Sequence, residues 1–168
     1  MMLEIALEAD AEWDSSRSWE ELARYAAEAA IAESAFPQLT QSERPVELSV
    51  RLADDDEVRA LNAKWRGKDK ATNVLSFPLA NPDDFGGATI PGKELLLGDI
   101  ILARGICEAE ASEKGVSVQE HATHLLVHGT LHLLGYDHQD DAAAAEMESR
   151  EVRALARLGI SDPYAVND

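Results

Sequence analysis

Alternation and helical spacing divide this chain into strands and helices before any residue's chemistry is considered. LEIAL (3–7) alternates apolar and polar positions, the period of a half-buried strand, and VELSVRL (46–52) does so strictly. Between them Leu22, Tyr25, Ala26, Ala29, Ala30 and Ile31 recur at helical spacing over 19–35, and Pro37 marks the end of that helix. Asp54 with Glu57 three residues on forms a capping-box-like start, and Val58, Leu61 and Trp65 supply the apolar stripe of the helix that follows. NVLSF, ending at Pro78, predicts a third short strand, and the Gly- and Pro-rich stretch 79–94 predicts the longest loop. ELLLGDIILA predicts a buried strand in which Gly98 marks a bulge or a close approach. Further helices are expected at about 103–114, 118–134 (Ser117 with Glu120 as cap) and 142–158, before Gly159. There is no repeat and no linker. The expectation is one α+β domain over 1–168, with about four strands in a small mixed sheet packed with about five helices.

Composition narrows the function classes. The chain of 168 residues carries a formal net charge of −17, which opposes generic binding to nucleic acid, DNA included, or to an anionic membrane but leaves room for a locally basic site. Cys107 is the single cysteine, so no intramolecular disulfide can form and a reducing compartment is the natural reading. The start, MMLEIALEAD, lacks a basic n-region, and no apolar run approaches the roughly 18 residues needed to span a bilayer. A soluble, cytoplasmic protein is expected.

All five histidines fall between His121 and His138. On a helix, His121, His124, His128 and His132 share an arc of roughly 80° on an otherwise mostly apolar segment. His128 and His132, at i and i+4, can aim both rings at one ion, and Gly135 permits the exit that brings back His138 as a third ligand. Three neutral imidazoles with one position open suit a catalytic Zn²⁺ better than a closed structural site, though Ni²⁺ or Cu²⁺ also accept such ligands. For His121 and His124 the bland reading is better: supporting or substrate-facing groups at most. The spacing H-x-x-x-H-x-x-G-x-x-H matches the metzincin protease pattern except at one place. There the protease has Glu, its general base, and this chain has Gly129. A mid-helix Gly costs on the order of 1 kcal/mol against Ala, so room for substrate beside the metal is the expected reason for it. A protease is disfavoured.

A second constellation lies upstream. Residues 59–70 hold Arg59, Lys64, Arg66, Lys68 and Lys70 against one acid, Asp69, and are followed by the short polar side chains of Thr72, Asn73 and Ser76. Alone, this is as well explained by a solvated loop. Beside a Lewis acid it suits a phosphodiester better than a peptide.

Taken together, WRGKDKATNVLSFP, LLLGDIILA, HGTLHLLGYDH and LGISDPY resemble the YbeY family of bacterial endoribonucleases, in order over about 50–164. The resemblance implies a fold related to zinc proteases and one Zn²⁺ held by His128, His132 and His138. It also implies a functional arginine at Arg66, so that Arg66 and His128 are the catalytic candidates. It further implies cleavage of single-stranded RNA, processing of the 3′ end of small-subunit ribosomal RNA from its precursor, and ribosome quality control.

With that family in view, Arg66 is expected to clamp phosphate, Lys68 and Lys70 to track the RNA backbone, and Thr72, Asn73 and Ser76 to line the groove, with loop 79–94 closing over it. The proton acceptor stays open between metal-activated water, Asp137 and the RNA 2′-OH. Two other classes stay open as well: a zincin-like metalloprotease with an unconventional base, and a noncatalytic ribosome-assembly factor with a structural metal. The −17 charge makes naked RNA a weak, salt-sensitive ligand, so specificity is expected from small-subunit ribosomal proteins.

Overall fold

The computed structural model describes residues 3–14, 18–89 and 94–165. Four strands, β1 (Leu3–Ala9), β2 (Val46–Ala53), β3 (Val74–Pro78) and β4 (Leu95–Ala103), form one mixed sheet in the order β1-β2-β4-β3. The first three of that order run parallel, and β3 returns antiparallel to β4 along one edge. Among the described residues five α-helices accompany it: α1 (Trp19–Ala32), α2 (Asp55–Arg66), α3 (Arg104–Lys114), α4 (Val118–Leu133) and α5 (Asp141–Arg157). The α+β expectation and both element counts hold. Part of the expected loop 79–94 winds into a 3₁₀ segment, Pro82–Thr89, while 90–93 lie outside the described residues.

The sheet buries one face under α4 and α1 and rests α2 on part of the other. Val46, Leu48, Val50 and Leu52 of β2 point into the main core, as alternation requires. On the opposite face Ala53, Leu75, Ile101 and Ala103 pack with Val58 of α2 in a smaller cluster. Both helices start on side-chain caps: Asp54 accepts from the Glu57 amide at 2.7 Å and Ser117 from the Glu120 amide at 3.1 Å.

β4 carries an irregularity that sets the floor of the site. Glu47 pairs with Leu96 but Leu48 pairs with Gly98, so Leu97 is an extra residue. The bulge changes the parity of the strand: Leu95 and Leu97 precede it in the main core, and Ile100 and Leu102 follow on that same side. Gly98 has φ +145°, and a Cβ there would lie 2.3 Å from the Phe77 carbonyl and 2.8 Å from Leu133 of α4. Gly129 answers it from the helix. A Cβ at Gly129 would lie 3.0 Å from both Ile100 and the Ser76 hydroxyl. Two glycines on facing elements therefore bring α4 close against β3 and β4. The space that Gly129 clears is filled by the sheet, not by room for substrate, which corrects that expectation.

Two apolar-stripe assignments also differ. Tyr25 is 54% exposed and Trp65 63% exposed, so neither belongs to the core. Trp65 sits at the last turn of α2, where it borders a groove of about 920 Å³ along the sheet's outer face.

Candidate active site

α4 ends where its chemistry begins. Gly135, with φ +102°, reverses the chain after Leu134, and the Tyr136 amide returns to the Leu131 carbonyl at 3.1 Å. His138 thereby comes back beside the helix, its ring centroid 5.5 Å from that of His128 and 5.0 Å from that of His132. The Nε2 atoms of His128 and His132 are 3.0 Å apart. One ring nitrogen from each of His128, His132 and His138 lies within 4.8 Å of the others, and among the described residues no fourth His, Cys, Asp or Glu joins the group.

Every Nδ1 of the three is occupied by an oxygen. That of His128 meets Glu151 Oε1 at 2.6 Å, that of His132 the Tyr136 carbonyl at 2.9 Å, and that of His138 Asp137 Oδ1 at 3.2 Å. Acceptors at Nδ1 hold the proton there, which leaves the Nε2 lone pairs of His128 and His132 turned toward each other. Burial, then the neighbouring His128, pushes the His132 ring down to about 4, so it is neutral and able to ligate at physiological pH. Burial works to raise the Glu151 carboxyl, but hydrogen bonds from His124 and His128 overcome it and hold the group at about 2. The donor set and the tautomers fixed by the oxygens at Nδ1 fit a divalent metal with at least one coordination position left to an outside ligand.

The histidines line a cleft of about 440 Å³, and its opposite wall is the second constellation. Arg66, Thr72, Asn73 and Ser76 line it together with His128, His132, Asp137 and His138. Arg66 is the last residue of α2, and Gly67 with φ +69° turns the chain so that Arg66 faces β3, where its Nη2 donates to the Ser76 carbonyl at 2.9 Å. β3 is an edge strand, so that carbonyl would otherwise be open to a passing peptide. The Ser76 hydroxyl is buried without a hydrogen-bond partner on the cleft wall.

Not all the expected contacts are free to meet a substrate. The Asn73 amide donates to Glu110 of α3 at 3.0 Å, and Glu110 in turn meets His121 Nε2 at 2.8 Å, so Asn73 braces the wall. Lys68 and Lys70 are exposed and lie outside the cleft lining. Of the other basic residues nearby, Arg59 is paired with Asp69 at 2.8 Å and Lys64 lies 5.0 Å over the Trp65 ring. Sequence reasoning missed Glu151, although a signal was present. It shares the apolar face of α5 with Met147, Ala154 and Leu155, where a carboxylate needs a reason.

The Endoribonuclease YbeY family model matches residues 7–159. The chain belongs to the YbeY family. A YbeY endoribonuclease of Rhizorhabdus wittichii is 52% identical over 168 residues, covering 99% of each chain. One from Novosphingobium aromaticivorans is 52% identical over 166 residues, covering 98% of this chain and 97% of that one. The solution structure of TM1509 from Thermotoga maritima superposes with a TM-score of 0.53 at 25% identity, covering 98% of this chain and 100% of the other. Among the described residues no helix is long and apolar enough to cross a membrane.

Proposed function

We propose that this chain is a zinc-dependent endoribonuclease that cleaves single-stranded RNA, with the 3′ end of small-subunit ribosomal RNA precursor as its substrate and ribosome quality control as its setting. The observation that carries this reading is the cleft that three ring nitrogens within 4.8 Å of one another share with Arg66 and Ser76. Membership of a family whose members are named endoribonucleases supports the reaction class.

A Zn²⁺ held by His128, His132 and His138 would polarise a phosphoryl oxygen and acidify a bound water. Arg66 uses one N–H on the Ser76 carbonyl and has further donors for a phosphate, whose developing charge a guanidinium meets bidentately. Ser76 contributes to the cleft wall with its hydroxyl buried toward Gly129, and Thr72 stands at the same wall. Lys68 and Lys70, on the exposed turn after α2, follow the backbone beyond the scissile bond. Asp137 lines the cleft and keeps acceptor sites beyond the one that meets the His138 amide at 2.7 Å, so it can take the proton of an attacking RNA 2′-OH as the 5′-oxygen leaves. Such attack leaves a cyclic phosphate and spares DNA. In place of a protease's glutamate, position 129 offers only the packed contact with Ile100 and Ser76.

With a net charge of −17, the chain gains its RNA specificity from small-subunit ribosomal proteins, in the cytoplasm. The deciding experiment pairs elemental analysis with cleavage of single-stranded RNA by wild type, Arg66→Ala and His128→Ala. Wild type is expected to carry one zinc and cut. Arg66→Ala should keep zinc without cutting, and His128→Ala should lose both. Undiminished cleavage by either variant would overturn the reading.

A further inference from the structure

Glu151 is fully buried on α5, where an unpaired carboxylate would cost several kcal/mol. It is not unpaired. Its Oε1 lies 2.6 Å from His128 Nδ1 and 3.4 Å from His124 Nε2, and its Oε2 accepts from the Tyr164 hydroxyl at 2.9 Å. Tyr164 comes from the segment after α5, and its ring stands perpendicular to that of His124 at 5.5 Å. Stability alone is a poor reason for this arrangement, because a well-packed apolar residue commonly serves a core as well as a buried ion pair does. The three histidines of the cluster are also treated unequally. His132 leans on a backbone carbonyl and His138 on a half-exposed aspartate, while His128 alone has a fully buried anion behind it.

We propose that Glu151 is the positioning residue of the metal site, fixing the tautomer and raising the donor strength of His128. Tyr164, by donating to the second oxygen of Glu151, makes the segment after α5 part of the site's support. The inference rests on the reading of His128, His132 and His138 as zinc ligands. A carboxylate on the far nitrogen of a ligating imidazole keeps the proton on Nδ1 and makes the near nitrogen the better donor. Tyr164 and His124 then serve to hold the carboxylate, and no direct role in the reaction falls to either.

The test is zinc affinity, read by competition with a chromophoric chelator on folded wild type, Glu151→Gln and Tyr164→Phe. Glutamine keeps the size and an oxygen for Nδ1–H but removes the charge, and it is expected to weaken zinc binding about 10–100-fold. Tyr164→Phe should weaken it in the same direction by less. In the zinc-loaded protein, the downfield Nδ1–H proton resonance of His128 should move upfield in Glu151→Gln, which a purely structural role would not cause. Should Glu151→Gln fail to fold, Tyr164→Phe carries the same comparison. Wild-type affinity and an unmoved resonance in the folded variant would overturn the proposal. A wild type that binds no zinc would instead dispose of the metal reading on which it stands.

Discussion

The Nε2 atoms of His128 and His132 face each other at 3.0 Å while both Nδ1 atoms are held from behind by oxygens. A helix places these side chains one turn apart, but the oxygens decide which nitrogen is presented. His132→Ala removes one of three donors without opening the core, since that ring is only part-buried. Expected is loss of at least 100-fold in zinc affinity with the circular dichroism spectrum retained. A variant that unfolds outright would mean that the metal is structural.

Arg66 joins α2 to the edge strand and lines the same cleft as the histidines. Arg66→Ala is expected to lower kcat/KM on single-stranded RNA by about 10²–10³, the usual cost of removing one donor from developing charge. Zinc content should be unchanged. Arg66→Lys should recover only part of the rate, because an ammonium cannot bond a phosphate bidentately. Equal rates for arginine and alanine would remove Arg66 from the chemistry.

Gly129 offers a test of packing that helix propensity alone would answer the other way. Alanine in mid-helix gains about 1 kcal/mol over glycine. Its Cβ, however, would lie 3.0 Å from Ile100 and from the Ser76 hydroxyl, and overpacking of this kind costs about 1–3 kcal/mol. Gly129→Ala is therefore expected to melt a few degrees below wild type. A higher melting temperature would mean that α4 and the sheet separate freely.

Acid should weaken the metal-free protein in two windows. The His132 ring is held down to about 4 against its ordinary 6.5, so the unfolded chain takes up a proton first and stability falls as pH drops from about 6.5 to about 4. Glu151, held at about 2 against 4.5, adds stability that is complete above 4.5 and lost as pH falls toward 2. Thermal melts of metal-free wild type and His132→Ala across the upper window should show a shallower slope in the variant. Equal slopes would assign the upper window to another group.

Lys68 and Lys70 stand outside the cleft, and their expected effect differs from that of Arg66. Replacing either with alanine should weaken RNA binding independently of sequence and lower the salt slope by about 0.7. Binding isotherms at several salt concentrations would show it. An unchanged slope would leave them as solvated charges.

Much of this was readable because spacing is geometry. The i, i+4 histidines and the glycine before His138 dictated a convergence that the folded chain displays. Alternation in VELSVRL likewise dictated which face of β2 is buried. The misreadings have physical causes. Trp65 has the right period for a buried stripe, yet α2 rests on only part of the sheet and its last turn borders an open groove. Asn73 lines the cleft, but the Glu110 that holds its amide comes from another helix, which no local pattern announces. Glu151 is thirteen positions past the last histidine, and periodicity places it on the apolar face of α5 without naming what lies opposite.

The extra residue at Leu97 puts one more side chain into the core than unbroken pairing with β2 would hold. Excising it would leave Gly98 opposite Leu48 and Ile100 opposite Val50, so every downstream side chain would keep its face, but the fully buried Leu97 would be gone from the main core. The site would then loosen with all three histidines and the arginine intact, through packing lost at a residue that lines no part of the cleft.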